Sequence, residues 1–190
     1  MKALVLNGSE AGESIVNKVS DYLVDFLRMD DNDVDVMVLR NENIGSCLGC
    51  FGCWLITPGK CVVKDVGYDL PKKVIQSDVL FLLTPVNFGM YSSELKKAMD
   101  RYACPLLLPF FAKINGEVHH AKRYDKYPRI VVIGVLPRQD AECENAFAKL
   151  VARNGINLHT ATTSRFVYST DKPDIVREKV FSTVKEAGLQ

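Results

Sequence analysis

Val79-Leu-Phe-Leu-Leu-Thr84-Pro-Val-Asn-Phe-Gly89-Met-Tyr-Ser-Ser-Glu-Leu-Lys-Lys-Ala-Met-Asp-Arg101 decides the fold. The run Val79 to Leu83 is too short for a membrane span and suits a strand buried on both faces. Pro85 ends it, having no N–H to give a ladder. Gly89 lets the turn bend, and Ser92 or Ser93 caps a helix with Leu95, Ala98, Met99 and Tyr102 on one stripe. Strand, turn and capped helix make half of a βαβ unit, and ligands in open α/β sheets sit at such turns.

Working outward, Ala3 to Leu6 reads as the first strand and Asn7-Gly8-Ser9 as the turn leaving it. Ile15, Val16, Val19, Tyr22, Leu23, Phe26 and Leu27 recur at helical spacing. Val34 to Leu39 is a second strand, residues 41–64 form a Cys- and Gly-rich loop, and Asp69 opens a short helix with Pro71 in its first turn. Arg129 to Leu136 is the fourth strand. Asp140 caps a helix that Asn154-Gly155 ends as a left-handed C-cap, and Ile156 to Thr160 begins a last strand before a helix opened by Thr170 or Asp171. Five strands alternating with helices predict a doubly wound, three-layer α/β/α domain with a parallel sheet in the order 2-1-3-4-5, spanning residues 1–190.

Residues 105–128 stand apart as a long insert. Leu106 to Phe111 is apolar, and reads either as a cover for the core or as a lid or subunit interface. Ile114 to Tyr127 is polar, basic and aromatic; His119 and His120, beside Lys122, Arg123 and Tyr124, read as solvated surface or as a cationic rim for a ligand's phosphate.

The net charge of +1 argues against a nucleic-acid or membrane-surface specialist, and no run reaches spanning length. The first residues carry no export pattern, so the expected location is cytoplasmic, with the six cysteines reduced or ligated.

Two turns carry candidate chemistry. Gly8-Ser-Glu-Ala-Gly-Glu-Ser14 leads into a helix N-terminus, whose free N–H groups and positive dipole end favour an anion; Ser9 and Ser14 add hydroxyls. Glu10 and Glu13 would repel a phosphate, or simply complement the dipole of a helix with no ligand. Thr84 to Tyr91 offers amides, Asn87 and two aromatic rings, suited to a flat heteroaromatic ligand or to packing the core rim.

The Thr84–Arg101 stretch resembles the FMN-contacting turn and helix of the NADPH-dependent FMN reductase and iron–sulfur flavoprotein families, of flavodoxin-like fold. So does Cys47-Leu-Gly-Cys50-Phe-Gly-Cys53-Trp-Leu-Ile-Thr-Pro-Gly-Lys-Cys61. The resemblance implies an FMN-dependent oxidoreductase exchanging electrons between NAD(P)H or a protein donor and an acceptor. It places the FMN phosphate at Ser9 and Ser14 and the isoalloxazine against Thr84, Pro85, Val86, Asn87, Phe88 and Gly89. It also implies a homodimer or homotetramer whose subunits complete the flavin site. Two positions depart from the family pattern: Glu10 and Ala11 stand where Pro and a basic residue are usual, and the fourth-strand turn, Gly134 to Asp140, contains Pro137 and Arg138.

Cys47, Cys50, Cys53 and Cys61 are spaced C-x2-C-x2-C-x7-C. Four thiolates so placed can hold a [4Fe-4S] cluster, which would make the protein an iron–sulfur electron carrier; they can hold zinc; or the thiols are free or oxidised. Cys104 and Cys143 read as small core residues on helices. A non-catalytic alternative keeps the fold as a thiol-redox or binding protein without flavin.

Overall fold

A computed structural model describes residues 1–12 and 15–188. Five parallel strands, β1 (Lys2–Asn7), β2 (Asp33–Val38), β3 (Val79–Pro85), β6 (Arg129–Leu136) and β7 (Thr162–Tyr168), form one sheet in the order β2-β1-β3-β6-β7. Taking these five strands in chain order, this is the expected 2-1-3-4-5 succession. β3 lies at the centre, pairing Asn7 with Leu83 on one side and Thr84 with Gly134 on the other. Its continuous apolar run follows from that position, because both of its faces are covered.

Successive residues face opposite layers. Phe81 and Leu83 pack with Val19 and Leu23 of α1 (Ile15–Met29) and with Val180 and Val184 of α6 (Pro173–Glu186). Leu80 and Leu82 pack against α3 (Leu70–Ile75), α4 (Ser93–Leu106) and α5 (Ala141–Asn157). Burying a ring such as Phe81 contributes about 1.5–3 kcal/mol. A short α2 (Gly52–Leu55) lies within the Cys-rich loop. No helix among the described residues is long and apolar enough to cross a membrane.

The caps hold at two helices: Ser92 Oγ accepts from Leu95 N at 3.3 Å, and Asp140 Oδ1 accepts from Cys143 N at 3.0 Å. The last helix instead begins at Pro173, with Lys172 at its N-cap.

Three expectations need correction. Residues 105–128 contain an antiparallel hairpin, β4 (Leu107–Ile114) and β5 (Glu117–Lys122), turning at Asn115 (φ 50°) and Gly116 (φ 88°). Two positive φ values are what a tight hairpin turn requires. Gly155 does not end a helix: α5 runs through it to Asn157, and the last strand starts at Thr162. A Cβ at Gly155 would lie 2.6 Å from Thr162 Cγ2 and 2.9 Å from Thr160 O, so the glycine serves the close approach of α5 to β7. His119 and His120 do not form a free cationic rim. His119 is buried between Asn157 Oδ1 (2.7 Å) and Glu117 Oε2 (3.0 Å), and His120 contacts the Leu108 carbonyl at 3.0 Å.

Candidate functional site

At the carboxyl edge of the sheet, the turns after β1 and β3 are bound to each other. Gly8 N donates to Leu83 O at 2.8 Å, and Ser92 Oγ donates to Gly8 O at 2.7 Å. A side chain at position 8 would collide with Leu95 Cβ (2.7 Å) and Ser92 Oγ (2.8 Å), so the joint requires glycine.

Ser9 is buried and faces a polar cluster. Its N–H donates to Asn7 Oδ1 at 2.9 Å, and its hydroxyl meets Asn17 Oδ1 at 2.9 Å. The Arg40 guanidinium, just beyond β2, donates to Ser9 Oγ and also reaches Asn17 Oδ1 at 3.2 Å. Sequence reasoning missed Arg40 and Asn17. Arg40 lies two residues past Val38, the end of β2, and only the sheet order brings it beside Ser9. Ser14 and Glu13 lie outside the described residues.

The second turn is built mostly from backbone. Thr84 Oγ1 accepts from Ser92 N (2.9 Å) and donates to Pro85 O (2.7 Å), so this buried hydroxyl shapes the turn. Val86 N donates to Val135 O at 2.8 Å, tying the turn to β6. Gly134 permits that contact, since a Cβ there would come within 2.8 Å of Val86 Cγ2. Asn87 and Met90 exchange backbone hydrogen bonds of 3.0 and 2.9 Å around Phe88 (φ 51°) and Gly89 (φ 72°). This leaves the Phe88 ring fully exposed at the tip. Asn87 Nδ2 donates to Glu10 Oε1 at 3.0 Å. The Glu10 carboxylate is thereby held toward the second turn, while Ser9 faces Arg40.

Ser9, Thr84, Pro85, Val86, Asn87, Phe88 and Gly89 therefore converge on one edge. Thr84 and Val86 face inward; Asn87 and Phe88 face solvent. Arg138 is exposed on the turn after β6. The donor set fits an aromatic ligand with an anionic tail: a guanidinium beside a hydroxyl, a glycine-bounded joint, and an exposed aromatic turn.

The cysteine loop gives a different picture. Cys47, Cys50, Cys53 and Cys61, together with Cys104 of α4, border a small apolar pocket beside Arg101. Cys47 and Cys50 are exposed; Cys53 and Cys61 are half-buried. Burial, reinforced by the neighbouring Cys104, pushes the Cys53 thiol up to about 11. Among the described residues no group of three or more His, Cys, Asp or Glu side chains is placed to hold a metal ion. The [4Fe-4S] and zinc readings of Cys47, Cys50, Cys53 and Cys61 therefore find no assembled ligand group in this arrangement.

The loop is pinned from α4. Arg101 forms a bidentate pair with Asp65, both contacts 2.7 Å, and donates to the carbonyls of Gly45 (2.9 Å) and Val63 (3.1 Å). Gly45 N completes the set on Asp65 Oδ2 at 2.8 Å. Trp54 Nε1 donates to the C-terminal carbonyl of α4 at Cys104 (2.7 Å) and to Leu107 O (3.0 Å).

The sheet order and helical layers define a flavodoxin-like architecture. The fold matches an NAD(P)H:quinone oxidoreductase from Methanothermobacter marburgensis with a TM-score of 0.69, at 14% identity, over 99% of this chain and 95% of that one. A model of the family described as NADPH-dependent FMN reductase matches residues 1–157, and the chain belongs to that family. An iron–sulfur flavoprotein of Methanocaldococcus jannaschii is 28% identical over 120 residues, 62% of this chain and 61% of that protein. An FMN-dependent NADPH-azoreductase of Staphylococcus haemolyticus is 35% identical over 100 residues, 53% of this chain and 51% of that protein. The chain spans little more than half the length of these two relatives.

Proposed function

We propose that the protein is an FMN-dependent oxidoreductase that passes electrons between NAD(P)H, or a protein donor, and an acceptor. The observation that carries this reading is the pairing of two features on one sheet edge. Arg40 and Ser9 offer a cationic, hydrogen-bonding pair for a phosphate, and the Thr84–Gly89 turn offers a bed for a flat ring. Membership of the FMN reductase family supports it, as do the FMN- and NADPH-dependent names of its relatives.

FMN supplies the hydride and electron chemistry when bound. The chain's own residues bind and orient. Arg40 and the Ser9 hydroxyl hold the phosphate, and the fixed backbone from Thr84 to Gly89 sets the ring's position. Asn87 keeps the Glu10 carboxylate engaged, which lessens its repulsion of the phosphate. The exposed apolar side chains Phe110, Phe111 and Val118 of the hairpin support assembly as a homo-oligomer.

Titration of anaerobically prepared protein with FMN and with riboflavin tests the reading. The native protein should bind FMN and turn yellow. Arg40→Ala should weaken FMN by about 10- to 100-fold, the range for a hydrogen bond to a charged group, and leave riboflavin unchanged because riboflavin has no phosphate. Replacing Asn87 and Phe88 together with Ala should weaken both flavins. A native protein that stays colourless and refuses added FMN defeats the proposal.

A further inference from the structure

Three donors converge on one atom at the Ser9–Arg40 edge. Asn17 Oδ1, in the first turn of α1, accepts from Asn7 Nδ2 at 3.2 Å, from the Ser9 hydroxyl at 2.9 Å and from the Arg40 guanidinium at 3.2 Å. Chemistry fixes both amide orientations. A guanidinium can only donate, so the Asn17 atom that faces it is the oxygen. The Ser9 N–H can only donate as well, so Asn7 turns Oδ1 to it (2.9 Å) and Nδ2 to Asn17. Val16 and Val19 are buried in the core beneath α1, which sets the rotation of the helix and leaves Asn17 half-buried.

Exposure divides the roles within this cluster. Ser9 is buried, whereas Arg40 is exposed just beyond β2. Among the described residues Arg40 forms no ion pair. A long side chain of this kind has considerable rotamer freedom to lose before it can meet a ligand. Asn17 restricts that freedom with a neutral acceptor, so the guanidinium is oriented while its charge stays available. A carboxylate in the same place would grip the guanidinium more firmly, but it would cancel the charge and repel an anion.

We propose that Asn17 is a positioning residue: it presents Arg40 to the phosphate of the flavin and so sets the preference for the phosphorylated cofactor. This rests on the flavin reading above. Asn17 acts through Arg40, and its effect depends on being both an acceptor and uncharged.

Titrations of the purified protein with FMN and with riboflavin, together with 15N NMR of the Arg40 guanidinium before flavin is added, test the proposal. Rotation of the guanidinium should be slowed in the native protein. Asn17→Leu should free it and weaken FMN by about three- to tenfold, the share of one hydrogen bond, with riboflavin affinity unchanged. Asn17→Asp should keep the guanidinium oriented yet weaken FMN by about tenfold or more, because the grip is retained and the charge is lost. In an Arg40→Ala background, Asn17→Leu should weaken FMN by less than about twofold, as expected for two residues that act as one unit. A freely rotating guanidinium in the native protein, an FMN affinity that Asn17→Leu leaves untouched, an equal loss of FMN and riboflavin, or an undiminished loss in the Arg40→Ala background would overturn the proposal. A native protein that orients the guanidinium through Asn17 but refuses FMN defeats the flavin reading and leaves the hold of Asn17 on Arg40 standing.

Discussion

Replacing Asp65 with Asn should destabilise the protein severely. Arg101 is almost wholly buried, and its pair with Asp65 is bidentate at 2.7 Å. Asparagine retains the shape but leaves the guanidinium charge without its counter-ion. Breaking a buried pair from one side costs about 3–5 kcal/mol, against a total stability on the order of 5–15 kcal/mol. In a chain of this size each kcal/mol moves the melting temperature by about 2–4 °C, so the fall should be roughly 6–20 °C. Circular dichroism during heating measures it. The double replacement Asp65→Leu with Arg101→Met should recover more than half of the loss; recovery stays incomplete because Gly45 and Val63 lose their donor. The native pair also has an acid signature. The Arg101 guanidinium holds the Asp65 carboxyl below the usual carboxylate range, so its folded pKa is depressed. Its stabilisation is fully present above the unfolded pKa, near 4, and is lost as pH falls through the lower folded value. An Asp65→Asn protein within about 0.5 kcal/mol of native, the range of an ordinary surface change, would refute the reasoning.

Alkylation should separate the thiols. Iodoacetamide at pH 8, followed by mass spectrometry, should modify exposed Cys47 and Cys50 early and Cys53 about two orders of magnitude later than an ordinary thiol, because a pKa of about 11 leaves little thiolate. Equal rates at Cys47 and Cys53 would contradict the burial assigned to the latter. The hairpin should remain docked well into acid. Glu117, held by Arg153 (2.9 Å) and His119 (3.0 Å), has its pKa lowered to about 2. Its contribution is present above the usual carboxylate range and disappears as pH falls through that value. Amide spectra of β5 should therefore keep their dispersion at pH 4, and collapse there would sink the assignment.

The central strand, its proline stop and the Ser92 cap were legible because each is written in adjacent residues. So was the sheet order, which follows from alternating elements and the handedness of their crossovers. The hairpin was legible in principle: Asn115-Gly116 is a strong hairpin signal, but its basic and aromatic surroundings lack clean alternation and read as a loop. Gly155 misled because glycine serves two unrelated needs, positive φ and close approach, and only the position of Thr162 tells them apart. The left-handed residue that follows α5 is His159, at φ 52°, which composition does not announce. Half of the candidate site was readable, since Asn87 and Phe88 lie in one contiguous turn. Arg40 was not, because its partner Ser9 is 31 positions away and the contact exists only once β2 lies beside β1.

Trp54 has a practical consequence. It is the sole tryptophan, and it bonds to the end of α4, stacks on Phe51 at 5.2 Å and lies 4.9 Å from His120 of β5. One indole therefore sits where three separately folded segments meet. Its emission is a built-in optical gauge of that junction: loosening of the loop, fraying of the helix end or departure of the hairpin would each shift fluorescence without any attached dye.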